Sequence, residues 1–281
     1  MRVGVGLPNT IPGASGALVL DWARRADSGP FSSLGVLDRV AYDSLEPFTT
    51  LAASAAVTAR ISLVTMVVVG PLRSTAILAK QAASVDALSG GRLVLGLSIG
   101  ARREDYDATG TPYATRGRRL SEQLQDLRSY WEEGGMVPRP GSSRGPDILV
   151  GGLSGEAFGR MARYADGYVH GGGPPRAFAS AASRATAAWA DHGRPGRPQL
   201  WGQGYFALGD ALTIAAGADY LRDYYAFTGP FAEKIAAGNL TTPQAIIDFV
   251  RGYEEAGCDE LVLLPTVADP AHLDLLAGVL S

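Results

Sequence analysis

Short apolar runs alternate along this chain with longer segments in which apolar residues return every three or four positions. The short runs predict strands at 2–7 (RVGVGL), 33–38 (SLGVLD), 62–67 (SLVTMV) and 93–98 (LVLGLS), then at 147–152, 167–171, 200–208 and 260–265. Several are apolar at every position, as strands covered on both faces are. The longer segments predict helices over 16–28, 44–58, 74–88, 116–133, 154–165, 174–191, 210–227, 241–256 and 270–280. Ser44 reads as an N-cap, and Gly90-Gly91 as the stop after the third helix. Leu120, Leu124, Leu127 and Trp131 fall on one face of the fourth and mark it as core-facing.

Eight strands, each followed by a helix, within 281 residues predict a (β/α)8 TIM barrel, read as one domain over 1–281. An open doubly wound sheet gives the same alternation and stays open as the second architecture. The rhythm is interrupted at 135–146, a Pro-, Gly- and Ser-rich surface excursion, and at 228–240, which adds length after the seventh predicted strand. A net charge of −3 argues against nucleic acid and anionic membrane as partners. The single Cys258 rules out an internal disulfide and fits a reducing, cytoplasmic setting. The opening MRVGVGLPN lacks the apolar stretch of a secretory leader, and no apolar run approaches the ~18 residues of a membrane span.

In a barrel, ligands sit at the C-terminal strand ends. That rim is rich in Gly and Arg: Asp38 and Arg39, Met66 to Gly70, Ser98 to Arg103, Gly151 to Ser154, and His170 to Gly173. It carries one histidine and no metal-ligand cluster. The turn VGGLSGE (150–156) ends a strand and opens a helix, so its amides can meet a phosphate, with Ser154 as a further donor or simply a cap. HGGGPP (170–175) repeats the arrangement one strand later, bringing Gly171 and Gly172 to the mouth; both turns also read as plain tight connections. His170 is expected to face the mouth, either donating a proton or serving as a hydrogen-bonded structural residue.

The segments VGVGLPN, LGVLDRV, LAKQAASVDALSGGRLVLGLSIG and ILVGGLSGEAFGRMARYADGYV resemble the bacterial luciferase-like superfamily of flavin-dependent monooxygenases and coenzyme F420-dependent oxidoreductases. The resemblance runs from residue 2 to about 170 and resumes at YEEAGCDELVLLP. It implies FMN or coenzyme F420 at the barrel mouth. It places the cofactor ring on a bulge at Met66-Val67, often a non-prolyl cis peptide in relatives, with Ser98, Ile99 and Gly100 beside the ring and ribityl chain. Gly151, Gly152 and Leu153 match the phosphate turn, and Tyr106 either lids the site or anchors its own loop. It also implies a homodimer and, as a further partner, a separate flavin or F420 reductase.

Two departures count. Where many F420 members carry Asp-His, this chain has Asp38-Arg39, and where some carry a glutamate after the fourth-strand glycine it has Ala101. Oxidation of sugar phosphates is therefore not expected, and Asp38, Arg39 and His170 are the candidate catalytic residues that remain. Arg39 either binds anionic substrate or cofactor charge or pairs with Asp38 or Asp43; Arg102 is a candidate cofactor contact, and Arg103 to Asp105 are expected in water. The expected activity is F420-dependent hydride transfer with a small organic substrate. FMN-dependent oxygenation is the alternative, and a non-catalytic flavin-binding protein is a third class, favoured by the missing His and Glu.

Overall fold

The computed structural model describes residues 1–132 and 145–280. The expected surface excursion therefore lies, through residue 144, outside the described residues. The strands are β1 (Arg2–Gly6), β2 (Ser33–Val36), β3 (Ser62–Thr65), β4 (Val68–Val69), β5 (Leu93–Ser98), β6 (Asp147–Gly151), β7 (Gly167–Val169), β8 (Gln199–Phe206) and β9 (Glu260–Pro265). All pair in parallel, in the order β3-β2-β1-β9-β8-β7-β6-β5-β4, and a β3–β5 pairing closes the ring. The short β4 continues the position of β3 beyond a bulge, so the barrel has eight positions and the open-sheet alternative falls away. Arg2 lies opposite Glu260 in the β1–β9 pairing.

Around the ring run α1 (Gly16–Ser28), α2 (Pro47–Ala55), α3 (Thr75–Ser89), α4 (Arg103–Ala108), α5 (Arg116–Glu132), α6 (Gly155–Tyr164), α7 (Pro175–Asp191), α8 (Ala211–Tyr224), α9 (Phe231–Ala237), α10 (Pro243–Glu255) and α11 (Pro270–Leu280). Among the described residues no helix is long and apolar enough to cross a membrane. Alternate strand residues feed two cores. Val64, Leu149, Val169, Trp201 and Val262 fill the barrel, while Leu63, Ile148, Tyr168, Leu200 and Leu261 pack against the helices. That double burial explains the unbroken apolar runs.

Helix α2 begins at Pro47, with Glu46 accepting from the Thr49 amide as N-cap. Ser44 is not the cap; its hydroxyl donates to the Arg39 carbonyl. Gly90 ends α3 at φ +70°, and Arg92 then donates to carbonyls of Ala55, Thr58, Ile61 and Ser89. The SGGR turn thus ties the end of α2 to the strands on either side of α3. The 228–240 stretch forms the short α9, and α4 is a helix that the pattern of residues did not announce.

Candidate functional site

The break between β3 and β4 builds the floor of the site. Gly96 on β5 lets the bulge close in, since a Cβ there would fall 2.1 Å from the Thr65 carbonyl oxygen. Thr65 in turn donates to the Gly96 carbonyl at 2.8 Å. The Met66-Val67 peptide is cis, in the form the resemblance implied. Past β5 the chain turns at Gly100 (φ +62°), where a Cβ would meet Val69 at 2.7 Å. Gly152 (φ +131°) turns the end of β6 into α6, whose N-cap Ser154 accepts from the Ala157 amide at 3.2 Å.

These turns enclose a cavity of about 470 Å³ at the C-terminal mouth. Of the expected site residues, Asp38, Met66, Val67, Ser98, Ile99, Gly100, Arg102, Gly151, Gly152 and Gly171 line it. Leu153 is exposed outside it, and Gly172 lines a neighbouring compartment. Ser154 lies beyond the lining, where it caps α6 and holds the Glu156 carboxylate. The carboxylate's own backbone amide and the Ser154 hydroxyl keep Glu156 below its usual range. Tyr106 is buried with its hydroxyl on the Ile99 carbonyl and its ring edge-on to Tyr113, so it anchors its loop.

The expected catalytic residues are placed differently. Asp38 touches the wall with both oxygens engaged: Arg73 binds it in bidentate fashion at 2.7 and 3.0 Å, and the Val69 amide donates to it at 2.9 Å. Arg39 pairs with neither Asp38 nor Asp43. It lies behind the wall, 3.7 Å from Asp105, and donates to the Tyr224 carbonyl at 3.2 Å. Asp105 is accordingly not in water; it is buried and accepts from the Val40 and Ala41 amides. Arg102 donates to the same Tyr224 carbonyl at 2.6 Å and lies 4.3 Å over that ring. Two guanidiniums thus meet the C-terminal end of α8, where the helix dipole favours cations.

His170 does not face the mouth. Val169 points into the barrel, so its neighbours Tyr168 and His170 point out, where His170 meets the Tyr168 hydroxyl and the edge of Phe178. Burial lowers its pKa, against a weaker opposing contact from the Gly172 backbone. The unfolded chain then takes up a proton that the folded chain resists. The associated stability is present above the ordinary value of 6.5 and is lost as pH falls below it. His170→Phe is expected to flatten the decline in unfolding free energy between pH 7.5 and 5.5, measured by urea titration; an unchanged decline would contradict this placement.

Tyr113, Arg116, Gln203, Tyr224 and Tyr225 complete the wall; of these only Arg116, in the RGRR run at 116–119, offers a sequence signal for tethering a phosphate. Gln203 is 4% exposed and donates to the Gly171 carbonyl at 3.2 Å. As the lone polar residue pointing inward from LWGQGYF, it carried a signal that could have found it. Among the described residues the lining holds no histidine, cysteine or lysine, and its one carboxylate is ion-paired. Such a wall is poor in acid–base groups and suited to holding a flat, partly apolar molecule with an anionic end. A flavin-type cofactor fits: Met66, Val67 and Ile99 offer an apolar face for the ring. Gly151 and Gly152 open the backbone beside the α6 N-terminus for a phosphate, and the guanidiniums of Arg102 and Arg116 add positive charge.

The family described as luciferase-like monooxygenase matches residues 1–256. An uncharacterized protein of Mycobacterium tuberculosis is 35% identical over 187 residues, covering 54% of this chain and 65% of that protein. Pyrimidine monooxygenase RutA of Stutzerimonas stutzeri is 34% identical over 173 residues, covering 54% of this chain and 47% of the enzyme. The chain thus matches less than two thirds of the length of these relatives. In fold it is similar to an F420-dependent secondary alcohol dehydrogenase holding an F420-acetone adduct. That likeness has a TM-score of 0.79 at 15% identity, covering 99% of this chain and 97% of the other.

Proposed function

The chain belongs to the luciferase-like monooxygenase family, and from that premise we propose that it is an oxidoreductase holding a flavin-type cofactor at the mouth of its barrel. The observation that carries this reading is the single cavity joining the β3–β4 bulge, the Ser98–Arg102 turn and the Gly151-Gly152 turn. When bound, the cofactor supplies the redox step, and the protein supplies position, charge and exclusion of water. Met66, Val67 and Ile99 hold one ring face, and Gly151-Gly152 receives the phosphate. Arg102 balances negative charge beside the ring. Burial raises the pKa of the Tyr225 phenol, so it stays protonated in the wall, with its hydroxyl bonded to that of Tyr205.

Coenzyme F420 and hydride transfer with a small organic molecule form the favoured reading. Beyond Arg116 a groove of about 350 Å³ runs between α5 and α6, with Arg118, Arg160 and Arg163 on its walls against one carboxylate, Glu156. Arginines there suit a cofactor that carries further anionic groups past its first phosphate, as F420 does and FMN does not. FMN-dependent oxygenation, with the flavin reduced by a separate protein, is the second reading. It is favoured by the similarity to RutA and by a lining without a proton-handling histidine.

Titration of the purified chain with each cofactor, followed by fluorescence, tests both. Micromolar binding of F420 is expected, weakened roughly tenfold by Arg160→Gln while FMN affinity is unchanged. Tighter binding of FMN, unaffected by Arg160, would select oxygenation. Binding of neither would overturn the cofactor assignment.

A further inference from the structure

Beside the mouth lies a second compartment of about 640 Å³, formed by the turn after β7, the end of β8 and the helices α9 and α10. Gly171 and Tyr225 line both spaces, so the two adjoin through a wall with one ring and one bare backbone. The walls are largely apolar, with Phe231, Ile235 and Phe249 facing the space. Gly204 makes room for the Phe249 ring, since a Cβ there would lie 2.7 Å from it. At the inner end the Tyr205 and Tyr225 hydroxyls bond each other at 2.6 Å.

The rim is of one sign. Arg176 and Lys234 both line the compartment, and among the described residues neither forms an ion pair. The acid next to Lys234, Glu233, is engaged by Arg222 at 3.1 Å. Arg176 stands in the first turn of α7, whose N-cap Pro174 provides no capping side chain. The dipole of that helix, with its N-terminus at the rim, adds to the positive potential.

We propose that this compartment selects the substrate, and that the substrate is an amphipathic organic carboxylate. Its apolar body lies between α9 and α10, its carboxylate meets Arg176 and Lys234, and its reacting end reaches the mouth past Gly171 and Tyr225. The assignment rests on the cofactor reading above, which gives the neighbouring cavity to the cofactor. A neutral ligand would leave both cations as they are, and a cationic one would be repelled. Only an anion gains from all three positive features while burying its hydrocarbon in the apolar walls.

Calorimetric titration of the cofactor-free chain with octanoate and with 1-octanol, at low salt, tests this. Octanoate is expected to bind about tenfold more tightly. In Arg176→Gln/Lys234→Gln the ratio falls to within twofold, with octanol affinity kept, and 0.5 M NaCl does the same to the unaltered chain. Equal binding of the two probes, or a preference that survives the double substitution, overturns the proposal. Cofactor titration of the unaltered chain runs in parallel. Cofactor binding without carboxylate preference removes this proposal alone; preference without cofactor binding removes the flavin reading and leaves a carboxylate site.

Discussion

Replacing Asp38 with alanine is expected to destabilise the fold by about 3–5 kcal/mol and to lower Tm by roughly 10 °C. Asp38 is 1% exposed in its side chain and Arg73 13%, and the two are joined by a bidentate ion pair. Removing the acid strands a buried guanidinium whose remaining partner, Glu46 at 3.2 Å, is 40% exposed. It also frees the Val69 amide that Asp38 holds at the far side of the bulge. Removing both charges avoids the stranded cation, so Asp38→Ala/Arg73→Met should recover more than half of the loss. Thermal and urea unfolding of the three proteins measure this directly. A loss below ~1 kcal/mol in the single variant would mean the pair is no support of the bulge.

The second large effect separates binding from folding. Gly171 has room for a side chain: a Cβ there would meet nothing within 4 Å, and its φ is not in the left-handed region. Gly171→Leu should change stability by no more than ~0.5 kcal/mol. Its isobutyl group would project into the wall shared by the mouth and the second compartment, and cofactor affinity should drop by at least about thirtyfold, or ~2 kcal/mol. Gly152 offers the contrast. Its φ of +131° and the 2.8 Å approach to the Ala157 Cβ mean that Gly152→Leu must strain the entry to α6. That variant should lose both affinity and stability. Full affinity in Gly171→Leu would take the ligand away from this wall.

The barrel was legible because its strands and helices differ in period, and Gly90 and Gly91 punctuate where one becomes the other. Helices α1 and α11 have the predicted bounds. The start of α2 moved because Pro47 suits the first helical position and Glu46 supplies the capping oxygen, a signal that Ser44 obscured. Side-chain direction was less legible. A strand apolar on both faces carries no parity, and one step decides whether His170 looks into the mouth or away from it. Long-range pairings were hidden altogether. Nothing near Asp38 in the chain announces Arg73, and nothing near Arg39 announces Asp105 or the carbonyl of Tyr224. The aromatic wall at Tyr224 and Tyr225 comes from the end of a helix that reads as ordinary amphipathic sequence.

The parallel pairing of Arg2 with Glu260 sets the timing of assembly. Glu260 on β9 follows Arg2 on β1 by 258 positions in the chain, so at ~5–20 residues per second the ring stays unclosed for roughly 10–50 s. β1 presents an open hydrogen-bonding edge through that interval, and β8 presents another from its own synthesis until β9 inserts between the two. Slower translation, or a stall before residue 260, lengthens the time in which those edges can pair with another nascent chain. Yield of the native protein should therefore depend on synthesis rate and chaperone supply more steeply than its final stability would suggest.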